Sequence, residues 1–120
     1  MIEKVKNTEV GQFVCGVDSE DIAAALVKLF SEKGITVSTA ESCTGGLIAK
    51  MITDIAGSSA VLIGSAVTYA VSAKEKMIGV PAELIEKYGV VSGEVAEAMA
   101  AGVRDLLGTD LAVSTTGIAG

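Results

Sequence analysis

The architecture of this chain follows from the stretch Ile35-Thr36-Val37-Ser38-Thr39-Ala40-Glu41-Ser42-Cys43-Thr44-Gly45-Gly46, in which a β-branched run leads into a turn with two glycines. A helix-like run, Leu47–Ile52, follows directly. A strand that turns sharply into a helix exposes one side chain at the turn and points unpaired backbone N–H groups at whatever docks there. The side chain in that position is Ser42, which is therefore a candidate nucleophile.

The sequence contains no histidine, and this limits how Ser42 could be activated. A Ser-His-Asp triad is excluded, so the base must be a lysine, a tyrosine, a carboxylate or the N-terminal amine. A serine at the start of a helix is also a common N-cap. The residues alone therefore leave both roles of Ser42 open.

Composition and charge indicate one globular domain that does not bind nucleic acid. The chain has 120 residues, half of them hydrophobic, and its mean hydropathy is +0.57, so a packed core is expected. The formal net charge is −6 and the lysines are scattered among acidic residues, whereas phosphate backbones require a clustered basic face. A small anionic substrate is still allowed, because backbone amides bind phosphate in acidic proteins too.

Cysteine count and hydropathy predict a cytoplasmic protein without a membrane partner. Cys15 and Cys43 are too few for a disulfide framework and fit a reducing compartment. Every apolar run is interrupted before it reaches the length of a membrane span, and Met1–Lys6 lacks the apolar core of a signal peptide. Because histidine is absent and the cysteines are not at ligand spacing, no metal site is expected.

Hydrophobic periodicity and turn residues predict helices that alternate with apolar strands. Residues 1–17 are interpreted as an N-terminal arm or linker and residues 18–120 as one domain, whose first helix is capped at Asp18 or Ser19 and ends at Gly34. The further elements are a buried strand at 35–39, a helix that ends near Asp54, a second buried strand at Val61–Tyr69, helices at Ser72–Met77, from Pro81 to Gly89 and from Ser92 to Gly108, and a strand at Leu111–Thr115. This alternation predicts an α/β fold with three α/β/α layers around a mostly parallel sheet covered on both faces.

Three predicted turns lie at the carboxyl ends of strands, where ligands bind in sheets of this kind. They are the turn at Ser42, the region of Tyr69 and the glycine-marked turn Thr116–Gly120. This placement allows the three turns to meet in space and to form one site.

The motif Thr39-Ala40-Glu41-Ser42-Cys43-Thr44-Gly45-Gly46 resembles the signature of the CinA C-terminal domain family. Four further blocks resemble that family in the same order, namely Ile52–Ala60, Val67–Val80, Tyr88–Ser92 and Thr116–Gly120. The resemblance covers residues 20–120, and five ordered blocks are far more specific than one glycine motif. In this family the domain occurs alone as nicotinamide-nucleotide amidase and as the C-terminal half of the competence/damage-inducible protein CinA.

The resemblance implies that nicotinamide mononucleotide is hydrolysed at its carboxamide to nicotinic acid mononucleotide and ammonia, without a cofactor. It assigns the nucleophile to Ser42, the general base to Lys74 and an accompanying tyrosine to Tyr69. The candidate substrate-binding residues are Glu41, Thr44, Gly45, Gly46, Thr116 and Gly117. For Glu41 two interpretations stay open, a site carboxylate and a charge that serves the dipole of the following helix.

Two departures from the family pattern favour an alternative function. The family usually has Ser-Asn-Glu-Ala between the tyrosine and the lysine, where this chain has Ala70-Val71-Ser72-Ala73. The family also continues past the last block into further strands and a closing helix, so we expect an unpaired strand edge here and association with another copy of the chain. The alternative is a nucleotide-binding or structural domain that has lost turnover.

Overall fold

The computed structural model describes residues 21–118, in which five α-helices and one short 3-10 helix surround a three-stranded parallel sheet. The elements are α1 (Ile22–Lys33), β1 (Val37–Glu41), α2 (Leu47–Thr53), the 3-10 helix (Ser58–Ala60), β2 (Leu62–Val67), α3 (Val71–Ile78), α4 (Ala82–Tyr88), α5 (Gly93–Leu107) and β3 (Leu111–Ser114). The strand order is β2-β1-β3, and β1 pairs in parallel with both neighbours. The predicted domain boundary between residues 17 and 18 lies outside the described residues.

The central strand, β1, is buried along its whole length and contributes to two hydrophobic clusters. Val37 packs with Val27 of α1, Ile52 of α2 and Val61. Ala40 lies in the second cluster, to which α5 contributes most; its other buried members are Ala66, Ile78, Val80, Val95, Met99 and Val103. Helices therefore cover both faces of the sheet at β1, and the predicted three-layer α/β fold with a parallel sheet is confirmed.

The two outer strands are only half-buried, which corrects the prediction that the strand at Val61–Tyr69 is buried and that both sheet faces are covered throughout. Ile63 and Val67 of β2, and Leu111 and Val113 of β3, are each 44–51% exposed. Within residues 21–118 both strands pair only with β1, so each has one open edge. Association with another copy stays a prediction, which light scattering coupled to size exclusion would test.

The first helix begins two to three residues later than predicted. Asp21 is the N-cap of α1, because its carboxylate accepts hydrogen bonds from the amides of Ala23 and Ala24, at 2.9 and 3.4 Å. The predicted caps, Asp18 and Ser19, lie outside the described residues. Strand β1 begins at Val37 rather than at residue 35, since the Ile35 amide donates to Phe30 O and the Thr36 amide donates to the Asp110 carboxylate. At its other end the strand extends beyond the predicted residue 39 to Glu41, which pairs with Val67, and ends directly before Ser42.

Several helix ends lie close to their predicted positions, because their caps are local. The Ser92 hydroxyl accepts the Val95 amide at 3.2 Å and caps α5. Gly34 and Gly108 adopt the left-handed conformation that ends a helix, with φ of 67° and 66°. No helix within residues 21–118 has the length and hydropathy needed to cross a membrane.

The packing of α5 against α3 depends on Gly102. A Cβ atom at Gly102 would collide with the backbone carbonyl oxygen of Ile78, the last residue of α3. Ile78 is itself buried in the α5 cluster, so neither backbone can shift without opening the core. The close approach of the two helices therefore requires glycine at this position.

We predict that Gly102→Ala lowers the free energy of unfolding by about 1–3 kcal/mol, as overpacking does in other cores. The matched control is Gly93→Ala in the same helix, where an added Cβ meets nothing within 4 Å. That control is expected to leave stability unchanged or slightly raised, because alanine is the better helix former. Urea denaturation of both variants measures the difference, and equal stabilities would contradict the prediction.

Candidate functional site

The carboxyl ends of the three strands meet at one edge of the sheet, as parallel pairing requires. The Thr68 amide, after β2, donates to Glu41 O at 2.8 Å, and the Thr115 amide, after β3, donates to Ala40 O at 2.9 Å. These two bonds hold the segments after β2 and β3 on either side of the end of β1. The turn that begins at Ser42 therefore lies between them.

The turn from Ser42 to Gly46 is tight and depends on two glycines. The Gly45 amide donates to Ser42 O at 3.0 Å, and the Leu47 amide donates to Thr44 O at 3.1 Å. Gly45 and Gly46 have φ of +63° and +104°, values that favour glycine. The amides of Cys43 and Thr44 make no backbone hydrogen bond within residues 21–118, so they are available to an oxygen atom placed beside Ser42.

Lys74 reaches the same turn from α3 and is fully buried. Its Nζ atom donates to Ser42 Oγ at 3.1 Å, to Thr68 O at 2.7 Å and to Tyr69 O at 3.1 Å. Ser42 is only 5% exposed, so the lysine and the serine meet in a site that is largely shielded from water. The structure thus brings together the predicted nucleophile and the predicted base.

The environment of Lys74 favours its neutral form. Burial lowers the pKa of Lys74 below its ordinary value, because the ammonium loses hydration, while the electrostatic influence of the neighbouring Cys43 side chain opposes this effect. Carbonyl oxygens only accept hydrogen bonds, so the two N–H bonds of a neutral amine would go to Thr68 and Tyr69. The nitrogen lone pair is then left for the hydroxyl proton of Ser42, which is the arrangement that a general base needs.

Glu41 is fully buried, and its carboxylate makes the hydrogen bonds expected of a structural group. Its Oε1 accepts hydrogen bonds from Thr44 Oγ1 at 2.7 Å and the Ile48 amide at 2.9 Å, and its Oε2 accepts from Thr39 Oγ1 at 3.0 Å and the Ala49 amide at 2.9 Å. Burial raises the pKa of Glu41, but these four donors outweigh it and hold the pKa below its ordinary value. Of the two predicted interpretations, the geometry favours a charge that serves the start of α2 over direct substrate binding.

Tyr69, Thr116 and Gly117 lie at this edge of the sheet, but their contacts differ from those of Ser42 and Lys74. Tyr69 is 69% exposed, and its contact with Lys74 is made by its backbone carbonyl. Thr116 Oγ1 donates to Val90 O at 2.8 Å and ties the segment after β3 to the segment before α5. A Cβ at Gly117 would lie 3.1 Å from the Cys43 sulfur, so this glycine packs directly against the turn.

Thr115 is a site residue that the sequence analysis missed. Its Oγ1 atom accepts the Ser42 amide at a long 3.4 Å and lies 2.8 Å from Thr44 Oγ1. The glycine motif drew attention to Thr116, one residue later. The available signal was position, since Thr115 is the first residue after β3, as Ser42 is the first residue after β1.

A cavity of about 610 Å³ opens beside the turn, towards the start of α5. Its lining residues are Cys43, Thr44, Val91, Ser92, Gly93, Ala96, Ser114, Thr115 and Thr116. Hydroxyl groups and the positive end of a helix suit a sugar or an anion, and the volume falls in the range of small-molecule sites, roughly 300–1,000 Å³. Residues 21–118 contain no cluster of three or more His, Cys, Asp or Glu side chains placed to hold a metal ion.

Comparisons with known proteins agree with one another. The family model described as "CinA C-terminal domain" matches residues 19–120. A CinA-like protein of Geobacter sulfurreducens is 52% identical over 111 residues, which are 92% of this chain and 27% of that protein. A putative competence-damage inducible protein of Caldanaerobacter subterraneus subsp. tengcongensis is 46% identical over 119 residues, 99% of this chain and 29% of that protein. The chain therefore spans less than a third of the length of these relatives.

Solved structures share the fold. The competence/damage inducible protein CihA from Agrobacterium tumefaciens superposes with a TM-score of 0.82 at 46% identity, covering 89% of this chain and 65% of that one. A CinA superfamily protein from Escherichia coli gives a TM-score of 0.83 at 27% identity, covering 94% and 69%. The described architecture is thus the one that these proteins have over about two thirds of their length.

The lowered pKa of Lys74 predicts how stability depends on pH. Because the unfolded chain binds the Lys74 proton more tightly than the folded chain, the free energy of unfolding rises as the pH increases from the folded pKa towards 10.5, the ordinary value. Urea denaturation from neutral pH upward should show this rise in the parent protein and its loss in Lys74→Met. Lys76→Met, a change of an exposed lysine on the same helix, is the control and should keep the rise. Parallel curves for the parent and Lys74→Met would contradict the prediction.

Proposed function

The chain belongs to the CinA C-terminal domain family, and on that premise we propose that it hydrolyses the carboxamide of nicotinamide mononucleotide to nicotinic acid mononucleotide and ammonia. The observation that carries the proposal is the 3.1 Å hydrogen bond between Lys74 Nζ and Ser42 Oγ in a chain without histidine. A buried serine beside a lysine of lowered pKa is the arrangement of a nucleophile with its base.

The proposed reaction has two steps, and Lys74 moves a proton in both. Neutral Lys74 takes the hydroxyl proton while Ser42 Oγ attacks the carboxamide carbon, and the resulting ammonium returns that proton to the departing nitrogen. Ammonia leaves, and an ester on Ser42 remains. In the second step Lys74 takes a proton from water as the water oxygen attacks the ester carbon, and it returns this proton to Ser42 Oγ when the ester bond breaks and the acid is released. Water is the second substrate, so the reaction requires no cofactor.

The surroundings of Ser42 support charge stabilisation and nucleotide binding. The amides of Cys43 and Thr44, close to the start of α2, are suited to the oxyanion that forms during attack. Gly45 and Gly46 allow the substrate to approach the main chain closely. We assign the nucleotide to the adjacent cavity, next to Gly117, where Thr44 and Thr116 supply hydroxyl oxygens as acceptors and the start of α5 supplies amide donors.

One observation favours the alternative of a nucleotide-binding domain without turnover. Helix α3, which carries Lys74, begins at Val71 and has Ala70 at its N-cap, where no side chain satisfies the first amides. The family usually has serine and asparagine at these two positions, so two polar groups within one turn of the base are replaced by apolar ones. Under this alternative the chain binds nicotinamide mononucleotide in a calorimetric titration but releases no ammonia.

We predict that the parent protein releases ammonia from nicotinamide mononucleotide and that Ser42→Ala abolishes this release. Lys74→Met should lower kcat by about 10²–10⁴-fold, the usual contribution of a general base. The control is Lys76→Met, which removes an exposed lysine from the same helix and should match the parent. A folded Ser42→Ala variant with parental activity would exclude Ser42 as the nucleophile.

We also predict that kcat/KM of the parent rises with pH. Only neutral Lys74 accepts the Ser42 proton, so activity should follow the deprotonation of this lysine, with a midpoint below 10.5. The rate of ammonia release at a series of pH values measures the midpoint. A rate that falls over this range would show that the base is not Lys74.

A further inference from the structure

The turn that presents Ser42 is held in place by Glu41, the residue that precedes it. We propose that Glu41 is a positioning residue, whose buried carboxylate holds Ser42 within reach of Lys74 through Thr44, Thr115 and the start of α2. The inference rests on the proposed function in so far as Ser42 is the nucleophile. It adds a role for a residue that makes no hydrogen bond to Lys74 and does not itself line the cavity, which it contacts only through Thr44.

Glu41 replaces the missing N-cap of α2. The N-cap position is occupied by Gly46, which has no side chain to accept the first amides of the helix. Ile48 and Ala49 are the second and third residues of α2, whose amides an N-cap side chain usually satisfies. Both donate instead to Glu41, five residues before Gly46. Glu41 is therefore joined to both ends of the segment 42–46. It is bonded covalently to Ser42, and its carboxylate is hydrogen-bonded to the first residues of α2.

The same carboxylate sets the direction of a hydrogen-bond chain that ends at Ser42. An ionised carboxylate only accepts, so the single hydroxyl proton of Thr44 is committed to Glu41 Oε1. Thr115 must then donate its own proton to Thr44 Oγ1, and the Thr115 oxygen remains an acceptor for the Ser42 amide. Glu41 thus orients two hydroxyl groups and, through them, the backbone at Ser42.

The arrangement requires a carboxylate and not merely a side chain of that size. Each oxygen of Glu41 accepts one backbone amide, from Ile48 or from Ala49. In Glu41→Gln, whichever way the amide group is turned, its NH₂ faces one of these N–H donors and leaves it unsatisfied. The substitution changes size very little, so its effect reports on the acceptor geometry.

The consequence for chemistry is a loss of alignment. Ser42 Oγ lies 3.1 Å from Lys74 Nζ, and a displacement of about 1 Å at a reacting group can lower the rate about 100-fold. Because Glu41 does not line the cavity, its loss should lower kcat and leave KM within about twofold.

The test compares ammonia release by the parent, Glu41→Gln and Glu83→Gln. Glu83 is an exposed acidic residue in the first turn of α4, so it is a matched control that should behave as the parent. We expect kcat of Glu41→Gln to fall about 100-fold with KM nearly unchanged. A folded Glu41→Gln variant with parental kcat would overturn the inference.

Thr115→Val keeps the inference testable where Glu41→Gln fails to fold. Thr115 is only partly buried and makes no contact with the amides of α2, so its loss should leave the helix intact. The Ser42 amide loses its acceptor, and we expect kcat to fall up to about tenfold, the effect of one hydrogen bond. Parental kcat in this variant would count against the inference.

Amide hydrogen exchange separates this inference from the proposed function. In the parent, the amides of Ile48 and Ser42 should be protected, unlike that of Ser72, which is the second residue of α3 and has no side-chain cap. In Thr115→Val the Ser42 amide should lose its protection. If neither the parent nor Ser42→Ala releases ammonia, the proposed function fails, and the exchange pattern then tests the anchoring by Glu41 independently of activity. Protection of the Ile48 and Ser42 amides in the parent, with loss of the Ser42 protection in Thr115→Val, supports the anchoring. The absence of this pattern overturns it.

Discussion

Two buried ionisable groups lie at the end of β1, and they are satisfied separately rather than by each other. Glu41 accepts four hydrogen bonds from hydroxyl and amide donors, whereas Lys74 donates to a hydroxyl and two carbonyl oxygens. The ion pairs within residues 21–118 are the exposed Lys50–Asp54 and Arg104–Asp105. A direct contact with Glu41 would hold Lys74 in its charged form. Their separation keeps the carboxyl ionised and lets burial favour a neutral amine, so one strand end serves both an anchor and a base.

This arrangement costs stability. Lys74 gives up hydration without forming an ion pair. Thr68, whose backbone carbonyl accepts a hydrogen bond from Lys74, has a buried Oγ1 atom without a hydrogen-bond partner among the described residues. Each buried polar group left unsatisfied costs about 1–3 kcal/mol. The hydrophobic clusters on both sides of β1 offset such costs, because α5 and α1 with α2 pack against a strand that is buried over its whole length.

The turn also shows why local flexibility and precise placement coexist. Gly45 and Gly46 permit a backbone path that other residues rarely adopt, but glycine by itself does not hold the chain in that path. The turn is held by hydrogen bonds to residues outside it, namely Glu41 at the end of β1 and Thr115 after β3. A nucleophile can therefore lie on a loop and still be fixed, provided that its partners belong to the sheet.

The sequence by itself determined the kinds and order of the elements, the turn at Ser42 and the need for a base other than histidine. These features are local: Gly34, Ser92 and Gly108 mark helix ends through contacts a few residues away, and composition excludes a triad outright. Only the tertiary structure decided that Thr115 rather than Thr116 reaches Ser42, that Glu41 points into α2, and that β2 and β3 are half-exposed. The contact of Thr115 with Ser42 depends on strand register, and the exposure of β2 and β3 depends on their outer positions in the sheet. Burial decides which donors the Glu41 carboxylate meets. Periodicity along the chain does not encode register between strands that are more than 70 residues apart, such as β1 and β3.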